Sequence, residues 1–245
     1  MALGAFIGLP IAALLIAAVG GGLILRYIGD EATLTALRLS LATSSAALVF
    51  VLVLGTPTAY LLARRSFPGR RVLDLLVDAP ILLPPAVAGI ALLMAFGRKG
   101  LFGPALGLAG LELAFTPVAV VLAQAFVATP FDVRSARTGF GYVDRELEAA
   151  ASVDGASATT MFLRITLPLA LPSLLSGALM AWARALGEFG ATIMFAGSVL
   201  GRTQTMPLAI YQALETDFGV SITLAAVLVA VSLGLLLLIR AVSRS

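Results

Sequence analysis

Neither cysteine nor histidine occurs among the 245 residues. Disulfides, thiolate chemistry, haem ligation and most zinc sites are excluded with them. Charge is scarce too. Asp, Glu, Lys and Arg make up 12% of the chain and leave a net charge of +3, where soluble domains carry about 25% charged residues. The arginines are scattered between apolar runs, which argues for topology signals and against a nucleic-acid surface. The single lysine, in Phe96-Gly97-Arg98-Lys99-Gly100, lacks the Gly-x-x-x-x-Gly-Lys-Ser/Thr pattern of a phosphate loop. No constellation of side chains reads as catalytic, so no cofactor is expected on this chain.

Apolar residues dominate instead, at 60% of the chain with a mean hydropathy of +1.06. A soluble fold of this size could not hide that much apolar surface from water, so lipid must cover part of it. Six apolar segments are long enough to cross about 30 Å of hydrocarbon at roughly 1.5 Å per residue. They run over about 2–25, 34–63, 73–96, 112–131, 160–195 and 219–240. Backbone polar groups in lipid must be satisfied locally, and the runs are continuous, not alternating. The expected fold class is therefore an all-α integral membrane protein in one domain, 1–245, not a barrel. The first segment is uncharged and has no basic flank, so it reads as a retained helix and not a signal peptide.

Arginine sets the expected orientation. Arg64, Arg65, Arg70, Arg71, Arg134, Arg137, Arg145, Arg164, Arg240 and Arg244 fall on one side; Arg26, Arg98, Lys99 and Arg202 fall on the other. The positive-inside rule makes the first side cytoplasmic and places both termini there. Pro57, Pro80, Pro84, Pro85, Pro117, Pro168 and Pro172 lie in or beside spans. They fit packing kinks, and the pair Pro84-Pro85 followed by Gly89 also fits a broken helix beside a pathway.

The longest polar stretch separates spans four and five. Residues 145–153 place charged and small residues at helical spacing. Gly155 fits a helix end, and Ser157, Thr159 and Thr160 can cap the helix that resumes at Met161. This reads as a short helix, a turn, and re-entry into the membrane. Ala149, Ala150, Ala151, Gly155 and Ala156 present little side chain and make a short knob able to seat in another protein, although an ordinary connecting loop fits as well.

The pattern Ala150-Ala151, three residues, Gly155, nine residues, Ile165-x-Leu167-Pro168 resembles the coupling loop of permease subunits of ATP-binding-cassette importers. That family usually has Glu directly before the two alanines; here Ala149 stands there and Glu148 one place earlier. Further segments resemble the molybdate branch, which is similar to the tungstate and sulfate permeases. They are Pro84-Pro85-Ala86-Val87-Ala88-Gly89, Ala181-Trp182-Ala183-Arg184-Ala185-Leu186-Gly187-Glu188-Phe189-Gly190-Ala191-Thr192, Phe195-Ala196-Gly197 and Gly201-Arg202-Thr203-Gln204-Thr205-Met206-Pro207-Leu208-Ala209-Ile210-Tyr211. The resemblance implies six transmembrane helices with a short cytoplasmic coupling helix, at about 138–158, between helices 4 and 5. It also implies a multi-pass inner-membrane location and a second copy of the chain. Two ATPase subunits would carry ATP and Mg, and an external protein would deliver molybdate or tungstate. The alternatives are sulfate or thiosulfate as cargo, or an ion-coupled secondary transporter using Asp78 or Glu188.

Four residues apart, Arg184 and Glu188 are expected on one helix face, with Gly177 and Ala181 before them. They fit either an interhelical pair or the anion path, since a charge inside the membrane needs a partner or a watery cavity. Asp74 is expected to pair with Arg70 one turn away. Asp78 lies deeper, where an ion pair between helices or a transport role are both open. Gln124 and Arg38 are weaker pathway candidates. Residues 204–216 read as a short amphipathic helix in the outer interface.

Overall fold

A computed structural model describes residues 1–242, with side chains as far as Leu237. Among the described residues the structure is helical with no strand. In chain order it holds α1 (Ala2–Gly20), α2 (Leu23–Tyr27), α3 (Glu31–Arg64), α4 (Arg70–Leu82), α5 (Pro85–Phe96), α6 (Gly103–Leu108) and α7 (Pro117–Tyr142). The short α8 (Arg145–Val153) and α9 (Ala158–Met161) come next, then a π turn over Phe162–Thr166. The chain finishes with α10 (Leu167–Leu186), α11 (Gly190–Ala196), α12 (Met206–Thr216) and α13 (Phe218–Val242). Arg244 lies outside the described residues.

Five stretches are long and apolar enough to cross a membrane: α1, α3, α7, the run Ala158–Leu186 and Phe218–Leu237. Four boundaries differ from the sequence reading. The segment 73–96 is two helices, because Leu83 is extended before Pro84 and Pro85 opens the next helix. A residue preceding proline is pushed out of the helical region, whereas proline suits the first helical position. The fourth segment runs on to Tyr142 despite Pro130, so Arg134 and Arg137 sit on a helix and not in a loop. The fifth stops at Leu186, and a separate helix starts at Gly190. The first stops at Gly20.

The chain divides into two compact units. One comprises Met1–Thr43, Pro85–Ala123 and Leu186–Leu235. Its core joins Ala36, Met206, Ala209, Ala213 and Leu224. Helix α12 is therefore packed through Met206 and Leu208, which are buried, while Tyr211 and Leu214 stay exposed. The expected short helix over 204–216 is thus present from Met206 to Thr216, with one side packed on the core and the other exposed. Ser40 of α3 supplies the missing cap for α12, accepting from the Met206 N–H at 2.6 Å. Helices α5 and α11 touch closely: a Cβ on Gly89 would stand 2.6 Å from Met194 Cβ and 2.7 Å from the Ala191 carbonyl oxygen.

The other unit comprises Ser44–Pro84 and Gln124–Ala185, and continues from Leu236. Its core is Ala59, Leu62, Val77, Val133, Ala136, Phe140, Val143, Ala170 and Leu174. Tyr60 meets Phe140 edge-on at 5.3 Å and Phe162 edge-on at 5.2 Å. Such aromatic pairs add about 0.5–1.5 kcal/mol each beyond their buried area.

Candidate functional site

Helix α8 is fixed by local chemistry at both ends. Asp144 accepts from the Glu146 N–H at 2.9 Å, which satisfies one of the free donors of the first turn. Glu146 and Glu148 lie in that turn, where the helix dipole favours acids. At the far end Gly155 takes φ +83, a conformation open to glycine because it has no Cβ. The Ala156 N–H then reaches back to the Ala151 carbonyl at 3.0 Å, closing the helix in the manner of a left-handed cap. Ser157 accepts from the Thr160 N–H at 3.2 Å and restarts the chain as α9.

Longer-range contacts clamp the helix in place. The Arg64 guanidinium, at the end of α3, donates to the Val143 carbonyl at 2.9 Å and to Glu148 Oε1 at 3.3 Å. The Thr166 hydroxyl donates to the same carboxylate oxygen at 2.6 Å. Arg64 is nearly enclosed, with 7% of its side chain exposed, and Glu148 keeps 20%. Glu148 points inward and braces α8 against α3 and the π turn. The clamp ties α8 to the end of α3 and to the π turn.

Away from that clamp, α8 and its flanks are bare. Tyr142 is 84% exposed, Leu147 50% and Val153 89%. Ala149, Ala150 and Gly155 are exposed, Ala151 and Ala156 half-buried. Downstream, Ile165 and Leu167 are half-buried and Pro168 exposed. The assembly is an exposed, small-residue knob with apolar edges, tied by hydrogen bonds to the ends of two long helices.

The remaining sequence candidates fall elsewhere. Arg184 is half-buried in the last turn of α10. Because that helix ends at Leu186, Arg184 and Glu188 do not share a helix face. Glu188 is 1% exposed and accepts from the Ala191 N–H at 2.6 Å, capping α11. Pro84 lies in the break between α4 and α5, and Pro85 begins α5. Asp78 is paired with Arg134 across helices, Oδ1 to Nε 2.7 Å. Asp74 pairs with Arg137, not with Arg70. An i,i+4 pair is worth only about 0.2–0.5 kcal/mol, so a cation on a packed neighbour easily displaces it. Arg38 is exposed, whereas Gln124 is buried with no partner for either amide atom among the described residues.

Ser40, Thr166 and Asp132 were not singled out from the sequence. Asp132 is fully buried and neither carboxylate oxygen finds a hydrogen bond among the described residues. Ending span four at residue 131 hid it; an acid one residue past an apolar run with a proline inside was the available signal. No group of three or more potential metal ligands occurs among the described residues.

The chain matches the family described as binding-protein-dependent transport system inner membrane component over residues 52–245. It is 46% identical over 198 residues to the molybdenum transport system permease protein ModB of Mycobacterium tuberculosis, covering 81% of this chain and 75% of that one. It is 35% identical over 239 residues to the molybdate/tungstate transport system permease protein WtpB of Thermococcus kodakarensis, covering 96% and 90%. Among solved structures, a bacterial ABC transporter involved in the import of the acidic polysaccharide alginate shares the fold with a TM-score of 0.75. Identity there is 18%, with 98% of this chain and 90% of that one covered. The chain thus belongs to the family of inner-membrane components of binding-protein-dependent transport systems, and is a multi-pass permease.

Proposed function

We propose that this permease is the membrane-spanning subunit of an ATP-binding-cassette importer for molybdate or tungstate. The relatives named for molybdenum and molybdate/tungstate transport support the cargo. The alginate importer, which shares the fold, supports the machine. Six spans make up the subunit: α1, α3, α4 with α5 as one broken span, α7, the run from α9 to α10, and α13. The arginine-rich ends and both termini face the cytoplasm. Two copies enclose the path. An external binding protein delivers the anion, and two separate ATPase subunits hold ATP and Mg. The permease itself performs no covalent chemistry; nucleotide-driven motion shifts its population between two states.

One observation carries this reading: α8 is an exposed knob whose inner side is clamped by Glu148 to Arg64 and Thr166. A partner seated on Tyr142, Leu147 and Val153 would move α3 and the start of α10 with it. The test is reconstitution in liposomes with the ATPase subunits and a matched binding protein, following radiolabelled molybdate with sulfate as competitor. The parent takes up molybdate only with ATP. The double variant Leu147→Asp, Val153→Asp loses uptake at least tenfold while its melting temperature stays within a few degrees, because both side chains are exposed. Uptake driven by an ion gradient without ATP, and indifferent to the double variant, would overturn the reading.

A further inference from the structure

Two ion pairs join α4 to α7 one turn apart, Asp78 with Arg134 and Asp74 with Arg137. The side chain of Arg134 is 56% exposed and that of Asp78 33%. Exposed charges on a membrane-spanning helix do not face lipid; they face water or a partner. The pairs differ in what lies beside them. Arg134 lines an open cavity of about 360 Å³, together with Ser135, Thr138 and Ser173. Arg137 and Asp74 do not line it.

That cavity is chemically one-sided. Most of its wall is apolar, from Ile81, Phe131 and Met180, and its polar lining is one cation and three hydroxyls, with no carboxylate among the lining residues. Ser135 and Thr138 donate to the carbonyls of Ser173 and Arg134, at 2.7 Å and 2.9 Å. The Ser173 hydroxyl makes no hydrogen bond among the described residues, and Arg134 uses only its Nε in the pair with Asp78. The terminal nitrogens of Arg134 and the Ser173 hydroxyl thus remain as donors for an anion. The cavity is open and has room for a tetrahedral dianion that keeps part of its hydration.

The geometry points to a weak way-station for a tetrahedral oxyanion at Arg134 and Ser173, with the Asp78 carboxylate as a resident competitor for the guanidinium. The assignment rests on the importer reading above, because it takes the transported anion as the ligand. A planar guanidinium is a strong oxyanion ligand, and a strong site would trap the ion in transit. Asp78 resolves that conflict. It neutralises Arg134 when the site is empty and displaces the anion after it has bound, so the ion is guided and then released.

The test uses the complete transporter, permease with its ATPase subunits, and labelled molybdate as probe. Arg134→Gln lowers the maximal uptake rate about tenfold, while stimulation of ATP hydrolysis by the binding protein is kept. Arg137→Gln, one turn away but off the cavity, leaves uptake within twofold of the parent. Equilibrium dialysis of the purified complex provides the second arm. Asp78→Asn retains at least five times more molybdate than the parent, and adding Arg134→Gln or Ser173→Ala to it abolishes the gain. Equal losses of uptake in Arg134→Gln and Arg137→Gln would overturn the assignment, as would unchanged retention in Asp78→Asn. Should the parent show no ATP-driven molybdate uptake, the importer reading fails. Dialysis with molybdate and sulfate then decides the site by itself: a gain in Asp78→Asn that Arg134→Gln removes upholds it, and no gain refutes it.

Discussion

In the unit built from 1–43, 85–123 and 186–235, buried polar side chains serve the backbone. Ser40 caps α12 and Glu188 caps α11, each at 2.6 Å. Where α5 meets α11, the helices approach so closely that only glycine fits at position 89. In the unit that includes 44–84 and 124–185, ion pairs link one helix to another, through Arg64–Glu148, Arg134–Asp78 and Arg137–Asp74. Leaving a buried backbone N–H unpaired costs about 1–3 kcal/mol, so the first kind of contact resists rearrangement. Of the ion pairs, Arg64–Glu148 is largely enclosed, whereas the half-exposed pairs of Arg134 and Arg137 are worth about 0–1 kcal/mol and can exchange partners with water or an anion at little cost. One unit is constructed to keep its geometry, and the other carries charges that can change hands.

Three substitutions probe that contrast. The largest effect is expected at Gly89. Gly89→Ala places a Cβ within 3.0 Å of Met194 and of the Ala191 backbone, and neither backbone can yield without moving a helix. Overpacking of this kind costs about 3 kcal/mol, read as a fall in the melting temperature of the detergent-solubilised protein. An unchanged melting temperature would show that α5 and α11 have slack and that the first unit is not the stiff one.

Next comes Glu148→Ala, which leaves the enclosed Arg64 and the Thr166 hydroxyl without their shared acceptor. Losing a hydrogen bond to a charged group costs about 2 kcal/mol. The melting temperature falls, and in reconstituted vesicles ATP hydrolysis continues with less transport per ATP. Glu148→Gln, which keeps an acceptor oxygen, restores part of both. Loss of stability alone, with coupling intact, would make the clamp merely structural.

The smallest effect belongs to Ser40→Ala, which removes the cap of α12. About 1 kcal/mol is expected, together with faster hydrogen exchange at the Met206 amide. If that exchange does not change, a water or another side chain caps α12 and the contrast between the units weakens.

Much of this was legible in the linear chain. Long uncharged runs announce membrane helices because lipid offers backbone groups no partner. The extent of α8 was legible, since 145–153 keep helical spacing and Gly155 and Ser157 act on groups within a few positions of themselves. Its knob of Ala149, Ala150 and Ala151 could be named from the pattern alone. The inward turn of Glu148 could not, because its partners Arg64 and Thr166 lie 84 and 18 residues away. The helix break after Leu186 was equally hidden, since the apolar run continues through it and Glu188 looks like a helical charge until its role as a cap is seen.

The sequence by itself determined the solvent of this protein, its helical class, the places where α8 begins and ends, and the family to which it belongs. Each is dictated by composition or by contacts within a turn or two, where chain connectivity guarantees that the partners meet. Only the tertiary structure decided that Arg134 holds Asp78, that Arg137 takes Asp74 away from Arg70, and that Ser40 caps α12. Those choices depend on which helices become neighbours. Packing many apolar side chains sets that, and its total outweighs any single local pair.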